Sequence, residues 1–382
     1  MTQDLVLIGG GHSHVEILRR FGQNRPADTR LILLSRDVHT PYSGMLPGLV
    51  AGHYKFAEAH IDLAPLCRRA DATFIHDEAI GLDPARRLVL CRNGPPLPYD
   101  ILSINIGSSP RLADMPGAAD HGVAVKPIVG FLAWWEDLSA RLRAGSAPRR
   151  IGVVGAGAGG VEMILAMQYR LRSSLRADSR ADDHLTYVLF GQAPQILPGL
   201  GASVQRRFTR VLQARGVRVI TGTRIIRAGA DGLFDDAGRF HPLDDALFVT
   251  QAAAPSWLAE SGLALDGKGF IAVDPCLQSL SHRGIFAAGD IAAVRSYQRP
   301  KSGVFAVRQG PKLAANLRRA LQGQPLQPFH PQRGALALIS TGDRAAIAAR
   351  AGLSIEGRLI WRWKDQIDRR FMRRYQVKPP PL

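Results

Sequence analysis

Short apolar runs that stop on glycine, each followed by an amphipathic stretch, recur along this chain. Leu5–Ile8 is four apolar residues ended by Gly9 and reads as a buried parallel strand. His12–Phe21 has helical spacing, and Leu31–Ser35 is a second buried run. Roughly the first 35 residues therefore predict a β-α-β unit. Residues 72–94 read as antiparallel, with turns near Asp83-Pro84 and Asn93-Gly94. The stretch from Tyr99 holds another strand ending on glycine, and a polar, Pro- and Gly-marked crossing runs from Pro110 to Gly122.

The pattern then restarts. Residues 149–167 give strand, glycine loop and helix again, so a whole β-α-β unit repeats after about 145 residues. Leu185–Phe190 is its partner strand, and the charged stretch Arg172–Asp183 reads as a surface loop. Gly284–Asp290 reads as a strand ending on an acid, followed by a helix over Val304–Leu321. From Gln332, two strand-like pieces precede an aromatic and basic stretch at 358–378. There Trp363, Ile367, Phe371 and Tyr375 recur every fourth residue and predict one apolar stripe on a helix. The expected class is α/β, with two Rossmann-like dinucleotide-binding domains and a small C-terminal α+β region. The first domain is discontinuous, 1–110 with 268–330; the second spans 111–267; the interface region spans 331–382.

The glycine loops carry the chemistry. Gly9 suits a tight strand-to-helix turn and Gly11 a close backbone approach to a pyrophosphate, at a helix N-terminus with free N–H groups and partial positive charge. His14 stands where a third small residue is usual. The second loop, Gly155, Gly157 and Gly160, fits G-x-G-x-x-G between an apolar run and a helix, with Glu162 two residues on. Two such units can hold two dinucleotides, the layout needed to pass a hydride between them. Asp290, ending a strand, is placed to hydrogen-bond a polyol chain, and the helix after it offers a positive end.

Composition narrows the partners. The 382 residues carry a formal net charge of +17, which attracts anions. The densest basic patches are Arg141–Arg150 and the tail, but no nucleic-acid module is recognisable, so nucleic acid is not an expected partner. Cys67, Cys91 and Cys276 form no close pair, which fits a reducing compartment and excludes a disulfide scaffold. No leader segment or membrane-spanning run is recognised, and the expected location is cytoplasmic.

Taken in order, "VLIGGGHSH", "HTPYSGMLPG", "YDILSINIGSSP", "GVVGAGAGGVE" and "GIFAAGDIAAV" resemble the FAD-dependent pyridine nucleotide-disulfide oxidoreductases, in the branch of type II NADH dehydrogenases and sulfide:quinone oxidoreductases. "GGGHSHVEILRRF", "SRDVHTPYSGMLPG", "RPKSGVFAVRQGP" and "WKDQIDRRFMRRY" look like the oxidoreductase domain joined to selenide, water dikinase. The resemblance implies a glutathione-reductase-like fold and a FAD site. Gly9, Gly11, His12 and His14 would line the pyrophosphate, with Ser35 and Arg36 at the adenosine. Ser43, Gly44 and Met45 would pass the isoalloxazine, and Ala79 would meet the adenine edge. Gly107 and Ser108 would form a second contacting turn, and Gly289, Asp290, Lys301 and Val304 would complete the site. For His14, a ring filling a helix–sheet gap is the alternative. Gly155, Gly157 and Gly160 would bind NAD(P)H; Glu162 and Lys301 are the candidate catalytic residues. No metal site is expected.

The chain departs from that family at several points. An acid that would hold an NAD ribose falls on Gly191, followed by Gln192, and no arginine for NADP stands beside it. No cysteine pair faces the flavin. Gly303-Val304 and Arg308 replace the glutamines of the quinone-reducing branch, so a smaller or anionic acceptor fits beside Lys301 and Arg308. The expected function is transfer of electrons from NAD(P)H through FAD to a quinone or small molecule. Two alternatives stay open: a FAD enzyme acting without pyridine nucleotide, and an accessory flavoprotein docking to a selenium-metabolism partner. The basic tail reads as a helix on its own domain, on anionic lipid at the inner membrane face, or on an acidic protein. A homodimer also stays open.

Overall fold

The computed structural model describes residues 2–108, 110, 112–145, 149–177, 184–250, 253–297, 301, 303–331, 336–350 and 352–376. Strand β1 (Gln3–Ile8) buries its last four apolar residues, as a strand covered on both faces must. Through Gly9–Gly11 it enters α1 (His12–Phe21), whose last turn carries Arg19 and Arg20 at the negative helix end. Strand β2 (Thr29–Ser35) returns parallel to β1, with Leu5 opposite Leu31. Strands β3 (Thr73–His76) and β4 (Ile101–Ile104) add in parallel on the two flanks. The antiparallel reading of 72–94 therefore holds only for the hairpin Ala79–Asp83 with Leu88–Cys91. The helix Leu63–Arg69, capped by Asp62, supplies the crossover that makes β3 parallel.

The second unit repeats the plan. It comprises β5 (Val123–Ala124), α2 (Ile128–Arg143), β6 (Arg149–Val154), α3 (Ala158–Ala177), β7 (Leu185–Phe190), α4 (Ala202–Ala214), β8 (Val217–Ile220) and β9 (Asp245–Phe248). The sheet order is β5-β9-β6-β7-β8, all parallel. Helix α3 runs to Ala177, through residues expected as loop from Arg172, because Leu171 and Leu175 keep its buried face going. The rest of that expected loop, 178–183, lies outside the described residues.

The chain then returns to the first sheet. Strand β10 (Ile285–Ala287) pairs with β4 and completes the order β10-β4-β1-β2-β3. After β11 (Ala292–Val294), helix α5 (Gly303–Leu321) lies against α1, where Gly310 lets it close on Glu16 and Ser13. The C-terminal region holds three antiparallel strands, not two: β12 (Ala337–Ser340), β13 (Ala346–Arg350) and β14 (Leu353–Gly357). Helix α6 (Arg358–Met372) ends it. This region joins both cores: Ile339, Ile347 and Ala349 pack with the second sheet, and Phe371, Met372 and Tyr375 with the first. Burial of each of the last three side chains is worth roughly 2 kcal/mol.

Candidate functional site

The first glycine loop is shaped by its neighbour Asn105. Gly9 has φ 87°, and a Cβ there would meet the Asn105 carbonyl at 2.8 Å. A Cβ on Gly11 would collide with the Asn105 side chain and carbonyl. Asn105 Oδ1 accepts from the Ser13 N–H at 3.0 Å, and its Nδ2 donates to the Ala288 carbonyl at 2.6 Å. One amide thus ties the loop, the start of α1 and the end of β10 together. Asn105 lies within "YDILSINIGSSP", but the sequence alone assigned it no role.

His14 is corrected. Its ring is fully buried, with Nδ1 2.6 Å from the Gly9 carbonyl and Nε2 2.8 Å from Ser103 Oγ. Both nitrogens are spent inside the protein, so the ring fills the gap between α1 and the sheet and lines no pyrophosphate. Burial lowers its pKa to about 3, which keeps the ring neutral. His12 differs: its Nε2 is buried with no hydrogen-bond partner among the described residues, beside Tyr42 and Phe371.

Asp290 sits in the turn after β10. Its Oδ2 accepts from Ser108 Oγ at 3.2 Å and pairs with Lys126 Nζ at 3.3 Å. Gly107, just before, has nothing within 4 Å of where its Cβ would be, so the backbone there faces open space. A Cβ on Gly289 would meet Asn105 Nδ2 at 2.5 Å, and its N–H donates to Gln309 Oε1 at 2.6 Å. The N-terminal end of α5 adjoins Ser43: a Cβ on Gly303 would lie 2.6 Å from Ser43 Oγ. Val304, in the first turn, is exposed. Lys126 comes from the crossing before α2, where no sequence signal marked it.

Five other expected positions are qualified. Lys301 Nζ donates to the Ala292 carbonyl at 2.5 Å and lies 4.0 Å from the Phe270 ring centre. Burial lowers its pKa to about 8. Its ammonium is anchored on β11, and Asp290 lies close enough to act on its charge without an ion pair forming. Met45 is fully buried in the core, so only its backbone can meet a ligand. Ser35 donates its hydroxyl to the Asp37 carbonyl at 2.8 Å. Arg36, expected at the adenosine, is drawn into ion pairs with Asp37 and Glu78, and Ala79, which follows Glu78, is buried.

The second loop matches its motif more simply. Gly155 has φ 120°, and a Cβ there would strike the Val249 carbonyl. Gly157 opens onto free space, as a backbone approached by a phosphate requires. Gly160 packs directly on the Gly155 carbonyl. At the end of β7, a Cβ on Gly191 would come within 2.7 Å of the Ala156 methyl. A side chain at Gly191, where the family carries an acid, would therefore press on Ala156 of the glycine loop.

Glu162 ties the second unit to the C-terminal strands. Its Oε1 accepts from the Ser340 N–H at 2.7 Å. Burial raises its carboxyl to about 7, against the nearby Lys364 ammonium and that N–H, which pull it down. Lys364 pairs with Asp368 at 2.7 Å and donates to the Gly44 carbonyl at 2.5 Å. Asp368 in turn bonds the Tyr42 hydroxyl. So α6 carries a charged cluster from the Glu162 carboxyl to the segment 42–44.

This overturns the single apolar stripe on α6. Phe371 and Tyr375 are buried, while Trp363 and Ile367 are 44% and 40% exposed. The buried face is instead Lys364, Asp368, Phe371 and Met372. Four-residue spacing advances about 400° and drifts off one face, and the polar pair was hidden in a basic run. Cys67 is buried and its thiol is pushed up to about 12, consistent with a small core residue.

These features fit two dinucleotides: open glycine backbone at Gly107 and Gly157, an unpaired imidazole at His12, and a polyol-type carboxylate at Asp290. Among the described residues, no cluster of His, Cys, Asp or Glu could hold a metal ion.

Comparison with known proteins agrees. The family model for pyridine nucleotide-disulphide oxidoreductase matches residues 3–310. The sulfide-quinone reductase of Aquifex aeolicus is 23% identical over 366 residues, covering 90% of this chain and 83% of that protein. The type II NADH:quinone oxidoreductase of Mycobacterium tuberculosis is 25% identical over 395 residues, with 94% and 81% covered. In fold, NDH2 of Plasmodium falciparum in complex with NADH superposes with a TM-score of 0.82 at 13% identity, covering 98% of each chain. The two-Rossmann architecture expected from the sequence is thus the one these enzymes share. The chain belongs to the pyridine nucleotide-disulphide oxidoreductases, a family of flavoprotein oxidoreductases.

Proposed function

We propose that this chain is a FAD-dependent oxidoreductase that takes a hydride from a nicotinamide nucleotide and passes electrons to a quinone or another small acceptor. The observation that carries the reading is that Lys364, which donates to the Gly44 carbonyl, also acts on the charge of the buried Glu162 carboxyl. The second glycine loop's helix presents a carboxyl to the same cluster that grips the segment expected at the isoalloxazine. FAD, when bound, supplies the two-electron chemistry. The protein's part is to hold it. Gly9, Gly11, Gly107, Ser108 and Asp290 would seat the first dinucleotide, and Gly155, Gly157 and Gly160 the nicotinamide nucleotide. Ser43 and Gly44 would flank the ring, and the positive end of α5 would favour negative charge there. Glu162, poised near neutral pH, could hold or release a proton beside the ring.

The relatives' names favour a quinone acceptor. Their reactions occur on lipid-soluble molecules, and the surface of this chain suits that setting. On α6, Leu359 is 74% exposed and shares four-residue spacing with the exposed Trp363 and Ile367, Leu353 on the preceding strand is 79% exposed, and the exposed Arg358, Arg362 and Arg370 belong to the same helix. We read this as a face for an anionic lipid surface, apolar contact flanked by cations. No described helix is long and apolar enough to cross a membrane. The likeness to the domain joined to selenide, water dikinase makes an acidic protein the competing occupant.

Anaerobic mixing of the FAD-loaded protein with NADH and with NADPH tests the donor. Rapid bleaching of the flavin band by either is expected. No bleaching by either would leave a flavoenzyme that takes electrons directly from another small substrate. Reoxidation by a soluble quinone then tests the acceptor.

A further inference from the structure

In the first glycine loop, His12 is the side chain whose polar atoms the fold leaves unused. It stands at the first helical position of α1, directly after Gly11. Its neighbour His14 has both ring nitrogens bonded to protein; among the described residues neither nitrogen of His12 has a hydrogen-bond partner. The ring is nonetheless fixed. It lies edge-on to Tyr42, with centroids 5.6 Å apart, and 6.1 Å from Phe371. Tyr42 and Phe371 themselves stack at 4.3 Å. Asp290 and Lys126 are close enough to act on its charge.

Leaving a buried ring nitrogen unpaired is costly, and such atoms in native sites are commonly satisfied by a ligand. Burial, helped by Lys126, keeps the ring neutral with a pKa of about 4. A neutral imidazole offers one N–H donor and one acceptor nitrogen. It therefore adds no charge to the loop and suits a ligand that presents both hydroxyl groups and anionic oxygens.

We propose that His12 is a cofactor-positioning residue. Its imidazole, held in plane by Tyr42 and Phe371, hydrogen-bonds the FAD between the glycine loop and Asp290. This rests on the FAD reading above and deepens it. It also gives α6 a part in cofactor retention, because Phe371 belongs to that helix.

The test compares wild type, His12→Phe and His12→Gln, each purified with FAD. FAD release on dilution is followed by the rise in flavin fluorescence, and unfolding by tryptophan fluorescence. His12→Phe keeps an aromatic ring against Tyr42 but loses the nitrogens. It should release FAD about tenfold faster, the factor for one hydrogen bond, with its unfolding midpoint little changed. His12→Gln restores a polar atom near the buried Nε2 position and should recover much of that loss. Wild-type release from His12→Phe overturns the proposal. Equal loss in both variants also overturns it, since that marks a packing role. If His12→Phe does not fold, His12→Leu against His12→Gln makes the same comparison. A wild-type chain that never retains FAD overturns the wider reading, a different result from either.

Discussion

Lys364 and Asp368 face each other one turn apart on α6, 2.7 Å between charges, and both are turned inward while Trp363 and Ile367 face out. A helix that hides an ion pair and shows tryptophan is placed by something other than apolar burial alone. Here it is the Gly44 carbonyl and the Tyr42 hydroxyl, which the pair reaches.

Breaking that pair on one side should be expensive. Lys364→Met leaves the Asp368 carboxyl buried without its countercharge, with Tyr42 as its remaining partner among the described residues, a loss of about 3–5 kcal/mol. Adding Asp368→Leu should return most of it, because no uncompensated charge remains. Denaturant unfolding of the two variants checks this; a single variant as stable as wild type would show that the pair is not buried in solution.

The Glu162 carboxyl gives a pH signature. Its folded pKa, about 7, lies above the ordinary value of 4.5, with burial the largest cause. The folded chain then binds more protons than the unfolded one between roughly pH 4.5 and 7, so stability falls as pH rises through that window. Glu162→Gln should flatten this part of the curve, gaining on wild type by about 1–3 kcal/mol at pH 8 and by little at pH 4.5. The rest of the buried cluster is common to both proteins, so the difference between the two curves reports Glu162. Parallel curves for the two proteins would contradict the raised pKa.

Discrimination between NADH and NADPH should be weak, because Gly191 leaves no acid at the ribose and Ala156 fills the space. We expect kcat/KM values for the two within about tenfold, against the larger preferences a ribose-specific contact gives. Gly191→Asp alone should lower both, since its side chain meets the Ala156 methyl 2.7 Å away. Gly191→Asp with Ala156→Gly should favour NADH. A strong native preference for either nucleotide would mean that another residue reads the ribose.

The outer face of α6 should bind anionic vesicles. Co-sedimentation with phosphatidylglycerol vesicles should fall several-fold in a Leu359→Ser, Trp363→Ser, Ile367→Ser variant and weaken with salt. Flavin content should stay unchanged, as none of the three touches the inner cluster. Equal sedimentation of wild type and variant would favour the acidic-protein occupant.

Both glycine loops and the repeat of the whole unit were legible in the sequence, because tight strand-to-helix turns impose glycine locally. Asp290 could be read for the same reason: it ends a short apolar strand. What the sequence hid was tertiary. Asn105 matters because three chain segments meet at its amide, and Lys126 because a crossing passes Asp290. His14 looked like a loop residue by position, yet its ring lies beneath the loop on Ser103. Lys301 carried the family pattern, yet its ammonium is taken up by the Ala292 carbonyl. The α6 stripe misled because helical spacing tells which residues share a side, and only the docked partner decides which side is inside.

The inward polar face of α6 also bears on how the tail can be studied. Removing everything from Arg358 onward would strip Gly44 and Tyr42 of their cover and let water reach the Glu162 carboxyl. A shortened chain would thus lose attachment and chemistry together, and only point changes on the outer face can tell the two apart.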